Sequence, residues 1–335
     1  MRGLIYLSLL IVSTTFLHAQ TFENIVFEGA GVRGIAYVGA IKEMESRNML
    51  SSISKTGGTS AGAIAALTLA LGYNPNEIEH IIYDTKIQRF NDGRFFFAGG
   101  IARINKNYGW YRGDAFTRWL EKIIEGKTGN PNITFRELHE RNFRDLYVTG
   151  TSLNHQKLIV FSYENYPHMK VKDAVRISMS IPLWFEAVTI DSIGRVVNKR
   201  TNPKYFDIMV DGGLTGEFPI FMFDSLAKDN NRIANIKTIG CRIDAPDQIV
   251  FDQTQSGLAP FEIKKFRNYI GAFYSYVIES MNRSQLTSAD WQRSVSISSG
   301  NIGPKIRRLS IAEKNMLIKN GQEAMCDFLT RTAAN

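Results

Sequence analysis

Cysteine is nearly absent from this 335-residue chain, with Cys241 and Cys326 the only two. That is too few for a disulfide framework, and they lack metal-ligand spacing; one bridge and two buried thiols are both open readings. Histidine is scarce as well: His18, His80, His139, His155 and His168 are the whole set, and none follows residue 168. No run of five or six basic residues occurs, although the formal net charge is +8. The basic balance therefore suits an anionic lipid surface better than nucleic acid. A D-x-D-x-D-G loop is also missing, so neither calcium nor another metal is expected, and no cofactor. Repeats, low-complexity tracts and linkers are missing too, so residues 20–335 are expected to form one domain.

A long apolar run occurs only at the N-terminus. Arg2, the stretch LIYLSLLIVSTTF and then LHAQ read as a secretory signal peptide, residues 1–19, cut after Ala19. Leu17 is large for the third position before a cut, which keeps an uncleaved anchor as the alternative. The run is shorter than the ~20 residues of a spanning helix. A secreted or periplasmic protein is expected.

Asn24–Glu28 is a short β-rich run, and Ile35–Met49 has apolar residues at helical spacing. A weaker strand, Ser52–Gly57, leads into a helix over Ala61–Leu71. This β-α-β-α order predicts an α/β fold with a mainly parallel central sheet covered by helices on both faces. Further strands are expected at Leu146–Thr151, Leu158–Ser162, Ile208–Asp211 and Lys237–Arg242, and helices at Tyr111–Ile124 and Thr134–Glu140. Ser310 and Glu313 form a capping box ahead of a long C-terminal amphipathic helix.

Gly29, Gly31 and Gly34, in FEGAGVRGIA, have the G-x-G-x-x-G spacing of a dinucleotide-binding loop. Such a loop needs a carboxylate about 20 residues on to bind the ribose. That region, MLSSISKTGGTS, has none, so a nicotinamide enzyme is the weakest reading. GTSAG, Gly58–Gly62, stands there instead and matches G-x-S-x-G. This motif is a sharp strand-to-helix turn that exposes the central serine, with small neighbours because the backbone is crowded. Ser60 is thus a candidate nucleophile, against the plainer reading of a structural turn.

Serine needs a base. A triad would have to use His155 or His168 with an acid such as Asp114 or Asp145, and no motif surrounds either histidine. Asp211 ends the strand IMVD and is followed by Gly212 and Gly213, a good position for a reactive carboxylate in a parallel sheet. D-G also starts ordinary tight turns.

GAGVRG, GTSAG and DGG, in this order, resemble the patatin-like phospholipase family. DAVRISMSIPLWFEAV (173–188) and YGWYRGDAF (108–116) extend the resemblance, which covers roughly residues 23–330. It implies a three-layer architecture related to α/β-hydrolases and a lipid acyl hydrolase that cleaves ester bonds through a serine-aspartate dyad and an acyl-enzyme. Carried over, Ser60 is the nucleophile and Asp211 the base. Gly29, Ala30, Gly31, Val32, Arg33 and Gly34 form the oxyanion loop, its donors centred on Gly31 and Val32, with the amide of Ala61 in support. Gly58, Gly62, Gly212 and Gly213 are the motif glycines. Arg33 either orders this loop, meets a lipid phosphate or makes a structural ion pair.

The chain departs from the family pattern at Glu217, where Asn is usual; that questions the hydrogen bonding beside Asp211 and would raise its pKa if the two are close. A phospholipid or other acyl lipid is the implied partner, with transient membrane contact. The loop expected over FFFAGGIARINKNYGW is a candidate lip carrying Arg94, Arg103 and Lys106, with a packed surface loop favoured. The stripe Phe266, Tyr269, Ile270, Phe273, Tyr276 and Val277 is expected to pack in the core. A non-catalytic lipid-binding or interaction protein on the same fold is the alternative function.

Overall fold

Asn24–Phe27 (NIVF) is buried along its whole length, the pattern of a strand covered on both faces. It forms β1 of a computed structural model that describes residues 21–93, 96–197, 206–254, 257–303 and 307–334. The expected signal segment 1–19, Arg94 and Phe95 lie outside these residues, as does the side chain of Ile270.

The main sheet adds β2 (Lys55–Gly58), β3 (Asp145–Ser152), β4 (Lys157–Phe161), β5 (Val188–Asp191), β6 (Phe206–Asp211), β7 (Thr238–Asp244) and β8 (Ser294–Ser298). Its order is β8-β7-β1-β2-β3-β6-β5, with β4 also on β3. The run β8-β7-β1-β2-β3 is parallel, whereas β4 and β6 pair antiparallel with β3. The mainly parallel α/β expectation holds, and the antiparallel edge is what the sequence pattern left unread.

Helices α1 (Ala36–Ser46) and α2 (Ala61–Ala70) connect β1 to β2 and lead on from β2. Right-handed crossovers place both on one face. Helix α2 is apolar on nearly every side and almost wholly buried, as such a helix must be. Helix α3 (Pro75–Asp84) starts in a capping box of Asn74 and Glu77. Helices α4 (Phe96–Asn107), α5 (Asp114–Thr128) and α6 (Val171–Ser178) follow. Helix α7 (Phe266–Ser284) links β7 to β8 in the reverse direction, so the same rule puts it on the other face. Helix α8 (Ile311–Ala334) begins at the capping box of Ser310 and Glu313, with both reciprocal bonds made, at 3.2 and 2.8 Å. It lies along α1.

Four expectations change. The stretch after Phe95 is helix α4, not a loop, with Ile101 and Tyr108 turned to solvent. Tyr111 belongs to a strand, Gly109–Tyr111, which pairs with Leu183–Phe185. Only Cys241 is a buried thiol; Cys326 is half-buried, and both are free. The α7 stripe faces outward: Phe266, Tyr269, Phe273, Tyr276 and Val277 are all exposed. Helical spacing identifies one apolar face but not whether anything covers it.

Candidate active site

The chain runs from β1 to β2 on one side and returns to β7 on the other, so β1 lies at a switch point of the parallel sheet. Ligands bind beyond the carboxyl ends of strands at such points. The loop Gly29–Gly34 leaves β1 at that end, and Ser60 leaves β2 beside it.

Ser60 has φ 53° and ψ −120°, a conformation that non-glycine residues rarely adopt. The neighbouring structure enforces it. Gly62 has no room for a side chain, since a Cβ there would stand 2.3 Å from the Phe27 carbonyl oxygen. Helix α2 is thereby pressed onto the end of β1, and the turn before it must be sharp. Thr59 Oγ1 donates to the Gly216 carbonyl at 2.8 Å and meets Thr149 Oγ1 at 2.6 Å. The Ser60 amide donates to Ser178 Oγ at 2.8 Å, and its hydroxyl donates to Met179 Sδ at 3.3 Å. Thioether sulfur is a weak acceptor that surrenders the hydroxyl readily.

Asp211 ends β6, only 6% exposed. The Gly213 amide donates to its Oδ1 at 2.8 Å, and its own amide donates to the Ser180 carbonyl at 3.0 Å. Burial pushes its pKa up to about 7, against the Gly213 amide bond and the lowering influence of the nearby Ser60 hydroxyl. Helix α6 and the turn after it, inside the segment 173–188, thus hold both Ser60 and Asp211 through Ser178, Met179 and Ser180.

In the glycine loop, Gly31 takes φ 55°, the left-handed region, which reverses the chain into a short 3-10 turn. The Gly29 amide donates to the Glu217 carbonyl at 2.8 Å and the Arg33 amide to the Ala30 carbonyl at 3.2 Å. Neither is left for a ligand. Among the described residues, the amides of Ala30, Gly31, Val32 and Ala61 have no such partner. Gly34 lets the loop close on Ala61, whose Cβ would be 2.9 Å from a side chain there. Arg33 is buried, and its Nε donates to the Ala30 carbonyl at 3.1 Å, a brace across the loop.

Among the described residues no histidine bonds to Ser60 or Asp211. His155 Nδ1 meets Asp207 at 3.0 Å and Ser152 at 3.2 Å, and His139 meets Asp145 at 2.7 Å.

Glu217 lies beside the site, but its effect is the reverse of the one expected. Burial and the carboxylates of Glu279 and Glu28 hold its pKa well above the usual range, with Asp211 adding to the rise. The like-charge penalty falls on Glu217, while Asp211 is shifted by burial. The turn after Asp211 is held from a distant helix: Asn282 on α7 accepts from the Glu217 amide at 2.7 Å and donates to the Gly213 carbonyl at 3.4 Å. Behind it, Arg242 is 1% exposed, donates to Asp244 at 2.6 Å and lies 4.8 Å from the Trp291 ring. Arg283 joins Asp244 and Asp252, and the Ile243 amide donates to Glu28 at 2.8 Å. Sequence reasoning missed this layer. Asn282 and Arg283 at the end of an apolar helix were the available signal.

The family model for patatin-like phospholipase matches residues 25–224, from β1 through the Asp211 turn. The chain is 29% identical over 286 residues to the uncharacterized protein R571 of Acanthamoeba polyphaga mimivirus, covering 82% of each. It is 26% identical to the probable lipid hydrolase 463L of Invertebrate iridescent virus 6, over 61% of this chain and 64% of that one. Among solved structures, VipD from Legionella pneumophila has a similar fold, with a TM-score of 0.56 at 17% identity over 93% of this chain and 67% of its own.

Proposed function

The chain belongs to the patatin-like phospholipase family, and from that premise we propose that it hydrolyses carboxylic esters of lipids through a dyad of Ser60 and Asp211. The observation that carries this reading is one hydroxyl on a strained turn beside a buried carboxylate whose pKa burial raises to about 7, both held through Ser178, Met179 and Ser180. An aspartate at its ordinary pKa is a poor base at neutral pH; one near 7 is matched to the task.

Ser60 Oγ attacks the ester carbonyl carbon and its proton passes to Asp211. The carbonyl oxygen becomes an oxyanion, facing the amides of Ala30, Gly31, Val32 and Ala61 at two turn starts, where donors are preorganised. Collapse breaks the bond to the alcohol, which leaves with the proton from Asp211, and the acyl group stays on Ser60. Water then gives a proton to Asp211 and adds to the acyl carbon, and Ser60 leaves reprotonated as the fatty acid forms.

The exposed aromatics of α7 supply membrane contact in this reading. Phe266, Tyr269, Phe273 and Tyr276 form a stripe with Lys264 and Lys265 at its start, a pairing suited to the headgroup region. Asn282 places the same helix on the Asp211 turn. Residues 1–19 direct export, which N-terminal sequencing beginning at Gln20 would support. Residues 20–335 act as one catalytic unit.

Trapping with a fluorophosphonate, followed by peptide mapping, tests the dyad. Modification at Ser60, lost in Ser60→Ala, is expected. Labelling at another serine, or ester hydrolysis that persists in Ser60→Ala, would sink it.

A further inference from the structure

A cavity of about 790 Å³ opens against the outer side of the glycine loop. Its floor is apolar, formed by Val32, Ile35, Ile82, Ile87 and Leu309. Val32 belongs at once to this floor and to the glycine loop proposed above to receive the oxyanion. The cavity is held open by the start of α8, which the Ser310 and Glu313 capping box fixes, and by the end of α3. Its volume is in the range of small-ligand pockets.

The rim carries four cations, Lys86, Arg307, Arg308 and Lys314, against Asp84 and Glu313. Arg307 is committed to Glu313 at 2.6 Å. Lys314 donates to the Tyr83 carbonyl and lies over that ring at 4.2 Å. Asp84 faces His80 at 3.4 Å. That leaves the Lys86 ammonium and the Arg308 guanidinium, both exposed, with no ion-pair or hydrogen-bond partner among the described residues. Two uncommitted cations above an apolar floor complement a molecule with one anionic head and one hydrocarbon chain.

We infer that this cavity is a second, non-covalent site for anionic single-chain amphiphiles, with the fatty carboxylate class its ligand. The head lies between Lys86 and Arg308, and the chain lies on Ile82, Ile87 and Ile35 and ends at Val32. The choice of a carboxylate over other anionic heads rests on the proposed hydrolysis, which releases one. Product held there touches the side chain of Val32, whose amide faces the reacting oxygen, so occupancy biases the loop.

The test is calorimetric titration of the full-length Ser60→Ala protein below micelle concentrations with dodecanoate, dodecyl phosphate, dodecanol and inorganic phosphate. Both anionic amphiphiles are expected to bind, dodecanoate more tightly than dodecanol. Inorganic phosphate is expected to bind weakly, because each buried methylene adds up to roughly fourfold in affinity. Lys86→Glu and Arg308→Glu, both surface changes, are each expected to weaken dodecanoate about tenfold and leave dodecanol and fluorophosphonate labelling of Ser60 in the otherwise native protein unchanged. Dodecanoate affinity in both charge-reversal variants equal to that of the Ser60→Ala parent would overturn the site, and so would inorganic phosphate binding as tightly as dodecanoate. Because the titration needs no turnover, dodecanoate binding in a protein whose Ser60 proves inert would refute the dyad and keep the site; labelled Ser60 without charge-dependent binding would do the opposite.

Discussion

Asn282 Oδ1 accepts the Glu217 amide hydrogen at 2.7 Å, so a helix more than sixty residues downstream fixes the turn that follows Asp211. Asn282 touches no reacting atom; it is a positioning residue. Asn282→Ala leaves that buried amide and the Gly213 carbonyl short of a partner, which costs about 1–3 kcal/mol. We expect turnover to fall while KM for a soluble short-chain ester holds, and Asn282→Asp to recover part of the rate. An unchanged rate in Asn282→Ala would remove this role.

Ser60→Ala and Asp211→Asn are each expected to lower kcat by on the order of 10⁴-fold or more, and the double variant hardly further, because the two act as a unit. Multiplicative losses in the double variant, measured with a chromogenic acyl ester, would argue that they act separately.

Asp211 gives the pH dependence a definite sign. Its pKa is about 7 folded against an ordinary 3.8, so between those values the folded chain holds the extra proton. Stability is therefore greatest below pH 3.8 for this group and is lost as pH rises through 7, by up to on the order of 4 kcal/mol. Glu28, pushed up to about 7 as well, adds in the same direction. Activity runs the other way, rising through pH 7 as the base ionises. Urea denaturation at pH 5 and pH 8 is expected to show Asp211→Asn closer to the native protein at pH 5 and more stable than it at pH 8. Parallel pH profiles for the two proteins would contradict the raised value.

Gly62→Ala puts a methyl group 2.3 Å from a main-chain oxygen, and neither backbone can yield without moving α2. Destabilisation of about 3 kcal/mol or more is expected, together with loss of labelling at Ser60, since the strained turn relaxes. A thermal melt and a labelling gel check both.

On α7, Phe273→Ser with Tyr276→Ser removes exposed apolar surface and touches no partner in the site. Flotation with anionic phospholipid vesicles is expected to drop about tenfold or more, and hydrolysis of a soluble ester to stay level. Undiminished flotation would move membrane contact to another face.

The local chemistry of the site was readable along the chain because its requirements are local. A turn as sharp as GTSAG needs glycines at fixed spacing, and a loop that frees successive amides needs them too. The order β-α-β-α declared the parallel sheet for the same reason. Periodicity marked the apolar face of α7 without saying which way it points, since exposure depends on what packs against it.

Sequence by itself offered a serine and an aspartate, each bordered by glycines at a strand end, as the candidate pair, and gave no histidine a motif to join them. Only the tertiary structure decided which loop amides are free and that burial, not the neighbouring Glu217, raises Asp211. It also decided that Asn282, from a distant helix, bonds both sides of the turn after Asp211. Desolvation and hydrogen-bond competition are sums over groups distant in the chain, and spacing along one strand carries no record of them.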